Sequence, residues 1–166
     1  MKINHNTTTR IPVNDDYAAI LGKAVYLFAY YEWIIIYIIE YLDKGFASEY
    51  SRPTGRPLMS GSVNIKLKET IAKVDFSTST VDNADLEQCQ QEFENLIDKR
   101  NALIHAHPIT DKDGSQILAY QAKPSRAISD MTWKLSEIES LIKEIDAAAV
   151  KAEKILDEIR KVDNIV

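Results

Sequence analysis

The sequence predicts an all-α protein: an antiparallel four-helix bundle with a small β-hairpin inserted before a long C-terminal helix. Three observations predict it. Apolar residues recur at three- and four-residue steps along successive stretches, the period of an amphipathic helix. Only five Gly and five Pro interrupt 166 residues, so the breaks between those stretches are few and short. One break holds Pro108 and then Asp113-Gly114, a turn pair whose short apolar flanks suit a hairpin.

A chain of this length forms one domain with a real core, spanning residues 1–166, and the polar residues 1–13 read as a flexible N-terminal segment. Asn14 or Asp15 can cap a first helix from about Asp16 to Asp43, and Gly45 stops it. From Ala24 to Ile39 that helix is apolar except for Glu32, close to the roughly 20 residues that span a bilayer. Lys23, Glu32 and Glu40 punctuate it, and its Tyr and Trp are spread throughout rather than gathered at two interfaces, so no membrane partner is expected. A helix apolar on every side is expected to lie between the rest of its own chain and a second subunit.

Ser51 to Pro57 reads as a loop carrying Arg52 and Arg56. Ser62 to about Val74 forms a short helix, with Val63, Leu67, Ile71 and Val74 inward and Lys66, Lys68 and Lys73 outward. Ser77 to Val81 is a polar linker. The third long helix runs from Asp82 or Asn83 to about His105, burying Leu86, Phe93, Leu96, Ile97, Leu103 and Ile104. Pro108 pushes His107 toward extended geometry and ends it. After Pro124 the last helix extends from about Ser129 to Val162, about 50 Å at 1.5 Å per residue. Ile128, Met131, Leu135, Ile138, Ile142, Ile145, Ala149, Ala152, Leu156 and Ile159 alternate three- and four-residue steps, a heptad seam for the first helix or for a second subunit.

Composition narrows the function. A net charge of −5 argues against broad, sequence-blind binding of duplex nucleic acid, though not against a small phosphate site. Cys89 is the single cysteine, which removes a disulfide framework and any thiolate zinc site. The start lacks the apolar core of a secretory signal, so a cytoplasmic protein is expected. His105 and His107 form a His-x-His pair, but no third ligand follows, and Asp111 to Gly114 lacks the closing Glu of a calcium loop; no metal and no cofactor are expected. Arg52, Arg56, Lys66 and Lys73 read either as a weak basic approach for RNA or as solvated surface.

The stretch Asp98-Lys99-Arg100-Asn101-Ala102-Leu103-Ile104-His105 carries the chemistry. Arg holds phosphate, and His titrates near neutral pH. Asn101 and His105 are four apart and share a helical face, while Arg100 and His105 diverge by about 140°. The helix dipole favours protonated His105 by about 0.3–1 kcal/mol, and a neighbouring Arg opposes it, which leaves a general acid or base near pH 7. Glu32, alone on an apolar helix, needs a partner if buried, and Arg100 is the candidate. Lys99 and His107 complete the set as substrate contacts.

Arg100-Asn101-Ala102-Leu103-Ile104-His105, late in a small helical protein, resembles the HEPN superfamily, whose hallmark is Arg, four to six residues, then His. The lone Glu in Phe28-Ala29-Tyr30-Tyr31-Glu32-Trp33 and the hairpin after the motif extend the likeness. The resemblance implies a homodimeric, metal-independent RNA endonuclease in which two motifs meet and the substrate's 2′-hydroxyl is the nucleophile. His105 would be the base or acid, Arg100 would hold the scissile phosphate, and Asn101 would orient His105 or touch phosphate. Products would carry a 2′,3′-cyclic phosphate and a 5′-hydroxyl. A bacterial defence or toxin-type role, with a cognate regulator or antitoxin, would suit such a protein. The same resemblance admits a non-catalytic module that binds RNA or another protein, and a plain helical scaffold remains the third reading.

Overall fold

The computed structural model describes residues 13–51, 58–76, 81–123 and 129–163, and it is mostly helical with a small three-stranded antiparallel sheet. The N-terminal segment, the loop arginines Arg52 and Arg56, most of the Ser77–Val81 linker, Pro124 and Ile128 lie outside the described residues.

Helix α1 (Asp15–Leu42) starts where Asn14 accepts the amides of Asp16 and Tyr17 at 2.9 and 3.2 Å, with Asp15 and Asp16 in the favoured first turn. Gly45, at φ 102°, makes the left-handed turn into a short α2 (Phe46–Tyr50) that the sequence reading did not contain. The Glu40 carboxylate caps that turn by accepting the amides of Gly45 and Ala47. Helix α3 (Ser60–Ile71) buries Val63, Leu67 and Ile71. Helix α4 (Asn83–Ile104) is capped by Asp82 and buries Leu86, Phe93, Leu96, Ile97 and Leu103 as expected.

Ile104 departs from expectation and is 47% exposed. Consecutive helical side chains diverge by about 100°, and in the last turn of α4 only the Leu103 side is covered. Strands β1 (His107–Thr110) and β2 (Gln116–Tyr120) form the expected hairpin, with Thr110 opposite Gln116 and Gly114 at φ 87° in the turn. A third strand, β3 (Met131–Trp133), pairs with β2 where helix was expected, and the last helix, α5 (Leu135–Asp163), therefore begins six residues late. Met131 leaves the seam for the sheet and Leu135 is 41% exposed. The override is tertiary: Trp133 is buried, and the Tyr17 hydroxyl donates to its carbonyl at 2.6 Å while accepting the Leu118 amide at 3.1 Å. One side chain thus ties the start of α1 to β2 and β3.

In the rest of the seam Ile138, Ile145, Ala149, Ala152, Leu156 and Ile159 are buried within the chain, chiefly against α1, and Ile142 is partly buried. Tyr17 lies at Trp133, Tyr30 donates to Glu153, and Arg160 sits over the Tyr41 ring, so α1 and α5 run parallel. Helix α4 opposes both, with Lys99 paired to Glu144 and Lys151 to Glu92, each at 2.5 Å, and Phe93 packed on Phe28 and Tyr31. It also opposes α3, whose first residue meets Arg100 and whose Lys68 meets Glu94. The strict antiparallel alternation therefore does not hold: α1, α3 and α5 share a direction and α4 runs against them. By length and composition α1 is apolar enough to cross a membrane. Its Phe28, Tyr31, Ile35, Ile38 and Ile39 nevertheless form the centre of the core.

Candidate functional site

The last turns of α4 present Arg100, Asn101 and His105, and the packing sends them different ways. Arg100 leans onto α1 and α3. Its guanidinium carbon lies 4.7 Å from the centre of the Phe28 ring, and a terminal nitrogen donates to Ser60 Oγ. Its Nε is buried with no hydrogen-bond partner. Ser60, itself 6% exposed, opens α3, which starts without a side-chain cap. One turn along α1 from Phe28, Glu32 Oε1 is also buried and unpartnered. Tyr50, at the end of α2, completes this corner: burial raises its phenol, the Glu32 charge adds to that, and Arg100 opposes it.

The expected Glu32–Arg100 ion pair does not form at Oε1. Arg100 stacks over Phe28 and spends its terminal nitrogen on Ser60, while Glu32 lies about 6 Å further along α1 by helical rise. Among the described residues Arg100 makes no direct ion pair, although Glu32 shares its corner. Burial of such a charge is costly unless something pairs with it.

His105 is the C-cap of α4 (φ −93°, ψ 6°), exposed, with its amide bonded to the Asn101 carbonyl at 3.0 Å. Its ring makes no hydrogen bond or ion pair among the described residues, and the half-buried Asn101 side chain does not reach it. His107, exposed on β1 opposite Ala119, is likewise free of partners among the described residues. The structure therefore groups Arg100 with Glu32 and separates both from His105 and His107 within one chain.

Lys99 belongs to neither group. It turns to α5, pairs with Glu144, and edges a cavity of about 530 Å³ between α4 and α5 floored by Leu96 and Ala148. The reason is angular: Lys99 lies about 100° from Arg100 on the helix. Lys66 is occupied by Asp43 at 2.7 Å. Among the described residues no three His, Cys, Asp or Glu side chains gather as a metal site. Sequence reasoning missed Tyr50 and Ser60. No motif marks either one, and both reach the corner through a tertiary contact made by α2 and α3.

Chemically, the corner brings a guanidinium, a hydroxyl, a carboxyl and a phenol together, and the exposed His105 imidazole stands outside it. Compared with protein families, with curated proteins and with solved structures, the chain matches none.

Proposed function

We propose that this chain is a HEPN-like, homodimeric, metal-independent RNA endonuclease, with Arg100 on the scissile phosphate and His105 as general acid or base. The observation that carries the reading is Arg100 beside Ser60 with no direct ion pair, and the His105 ring without a partner about one and a half turns on, both among the described residues. In the step envisaged, the 2′-hydroxyl oxygen attacks phosphorus and gives up its proton to a base, and the phosphorus–5′-oxygen bond breaks. The leaving 5′-oxygen takes a proton, and a 2′,3′-cyclic phosphate remains. Arg100 offsets the charge that grows on the phosphoryl oxygens. Because Arg100 and His105 diverge within one chain, the reading draws on a second copy to complete the proton-transfer set. A bacterial defence or toxin-type setting, with a regulator or antitoxin as partner, and a cytoplasmic location accompany this proposal.

One observation favours a second reading, a non-catalytic module that binds RNA or a protein: the guanidinium is partly engaged by Phe28 and Ser60. A single experiment separates the two. Parent and His105→Ala proteins are incubated with single-stranded and structured RNA in excess EDTA. Cleavage by the parent alone, leaving cyclic-phosphate ends, supports the nuclease. RNA binding without cleavage, weakened by Arg100→Met, supports the module, and neither effect removes both.

A further inference from the structure

We infer that the Arg100 corner takes a guanosine nucleotide of single-stranded RNA: its 3′-phosphate on Arg100 and Ser60, its base against Trp33 and Tyr50, and the donors on its base-pairing edge read by Glu32. The inference names the substrate of the site proposed above and rests on that reading.

The corner has two unlike ends. One end offers donors. The Arg100 guanidinium lies over Phe28 and reaches Ser60 Oγ, and α3 begins there without a side-chain cap. The amides of Ser62 and Val63 bond to the Met59 carbonyl, whereas those of Ser60 and Gly61 make no hydrogen bond among the described residues. A Cβ placed on Gly61 would meet no atom within 4 Å, so the space beside those amides is open. Unbonded amides in the first turn of a helix favour an anion, and here a guanidinium stands with them.

The other end offers an acceptor. Glu32 lies one turn along α1 from Phe28, about 6 Å by helical rise. Its Oε1 is buried without a partner, and neither carboxyl oxygen makes a hydrogen bond or an ion pair among the described residues. The half-buried Tyr50 feels both the Glu32 and the Arg100 charge, and its ring meets that of Trp33 edge-on at 5.7 Å. Trp33 is 43% exposed and belongs to a stripe of exposed rings that α1 also fills with Tyr26, Tyr30 and Tyr37. Stacking on such rings is how proteins hold the bases of single strands.

A nucleotide carries the complementary ends, an anion and a base edge, with the sugar between them. The edge selects the base. Uracil shows one N–H between two carbonyls, and adenine and cytosine each show an amine beside a bare ring nitrogen. Guanine alone presents two adjacent donors, N1–H and N2–H, to match the two oxygens of a carboxyl. The other bases turn an acceptor toward Glu32 and leave a polar group unpaired, which makes discrimination of this kind steep.

Calorimetric titration of the full chain with 3′-GMP, 3′-AMP, 3′-CMP and 3′-UMP tests the inference. The expected result is that 3′-GMP binds at least tenfold tighter than the other three, and at least tenfold tighter than guanosine without phosphate. Glu32→Gln, which keeps the shape and turns one acceptor into a donor, is expected to bring 3′-GMP down to the level of the rest. Glu32→Asp, shorter by one carbon, carries the same expectation. Trp33→Leu, at an exposed position, is expected to weaken all four by a similar factor, because stacking does not distinguish bases. Equal binding of the four nucleotides overturns the inference, as does a preference that survives both Glu32 variants or a Glu32→Gln loss shared equally by all four. Binding of 5′-GMP as tight as that of 3′-GMP assigns the corner to free nucleotides and overturns the RNA assignment. RNA cut without regard to base sinks this inference alone; a preference for 3′-GMP in a chain that cuts no RNA sinks the endonuclease alone.

Discussion

The corner at Tyr17 and the corner at Arg100 are built alike and finished differently. Each brings one polar side chain across the core to another element. The Tyr17 hydroxyl both donates and accepts, to the Trp133 carbonyl and from the Leu118 amide, and leaves none of the three groups it joins without a partner. At the other corner Arg100 reaches Ser60, yet its Nε and Glu32 Oε1 stay buried without partners. Buried polar groups in native proteins are ordinarily satisfied; the Tyr17 hydroxyl follows that rule, and Arg100 Nε and Glu32 Oε1 depart from it. The saturation is confined to the Tyr17 hydroxyl and its two backbone partners, because Trp133 Nε1 is also buried without a partner.

The comparison breaks most sharply at His105. His105→Ala is expected to lower RNA cleavage by about 10²–10⁴-fold, the ordinary worth of a general acid or base. Because the side chain is exposed and makes no bonds, thermal denaturation should shift by no more than about 0.5 kcal/mol. A large loss of stability would place His105 with the structural corner instead.

Next in size is the reverse case. Tyr17→Phe strands a buried carbonyl and an amide and is expected to cost about 1–3 kcal/mol in urea denaturation, with RNA cleavage or binding per folded molecule unchanged. An activity loss without a stability loss would undo the distinction.

Arg100→Met, which keeps the stem over Phe28 and removes the charge, is expected to weaken RNA binding about tenfold in a filter or polarisation assay. Its stability should change by under about 1 kcal/mol, because a cation with no ion pair among the described residues is replaced by an apolar group. A loss of several kcal/mol would show that the charge serves the fold.

The smallest effect is a pH dependence at neither corner. The Ala47 and Gly45 amides hold the Glu40 carboxyl below its ordinary range. A carboxyl depressed on folding contributes stability that is complete above its unfolded pKa and lost as pH falls through the lower folded value. Glu40→Gln should therefore lower stability slightly near neutrality, where the contribution is complete, and flatten the acid limb below about pH 4.5 so that variant and parent converge in acid. An unchanged acid limb would show that the cap contributes nothing.

Much of this was legible in the residues, and the failures are instructive. The Asn14 cap, the Gly45 stop, the Asp113-Gly114 turn and the apolar stripes of α3, α4 and α5 are local features, set by spacing within a turn or two. The Glu32–Arg100 pair was not, because helical phase alone cannot tell that the guanidinium would settle over Phe28. Strand β3 was hidden too: Met131 and Leu135 continue a helical period, and only pairing with β2 and the Tyr17 bond overrule it. Lys99 was misplaced for the same reason, since its partner Glu144 lies 45 residues away.

By itself, then, the sequence determined the four longer helices, where most of them stop, and that an arginine and a histidine end α4. Those outcomes depend on propensity, capping and periodicity, which act between neighbours in the chain. Only the tertiary structure decided that α5 runs parallel to α1 and consumes the heptad seam, that an aromatic stripe is left outside, and that Arg100 and Glu32 share a corner without pairing. These follow from which faces remain to be buried once the long helices have met, a competition among distant residues that no single stretch of chain encodes.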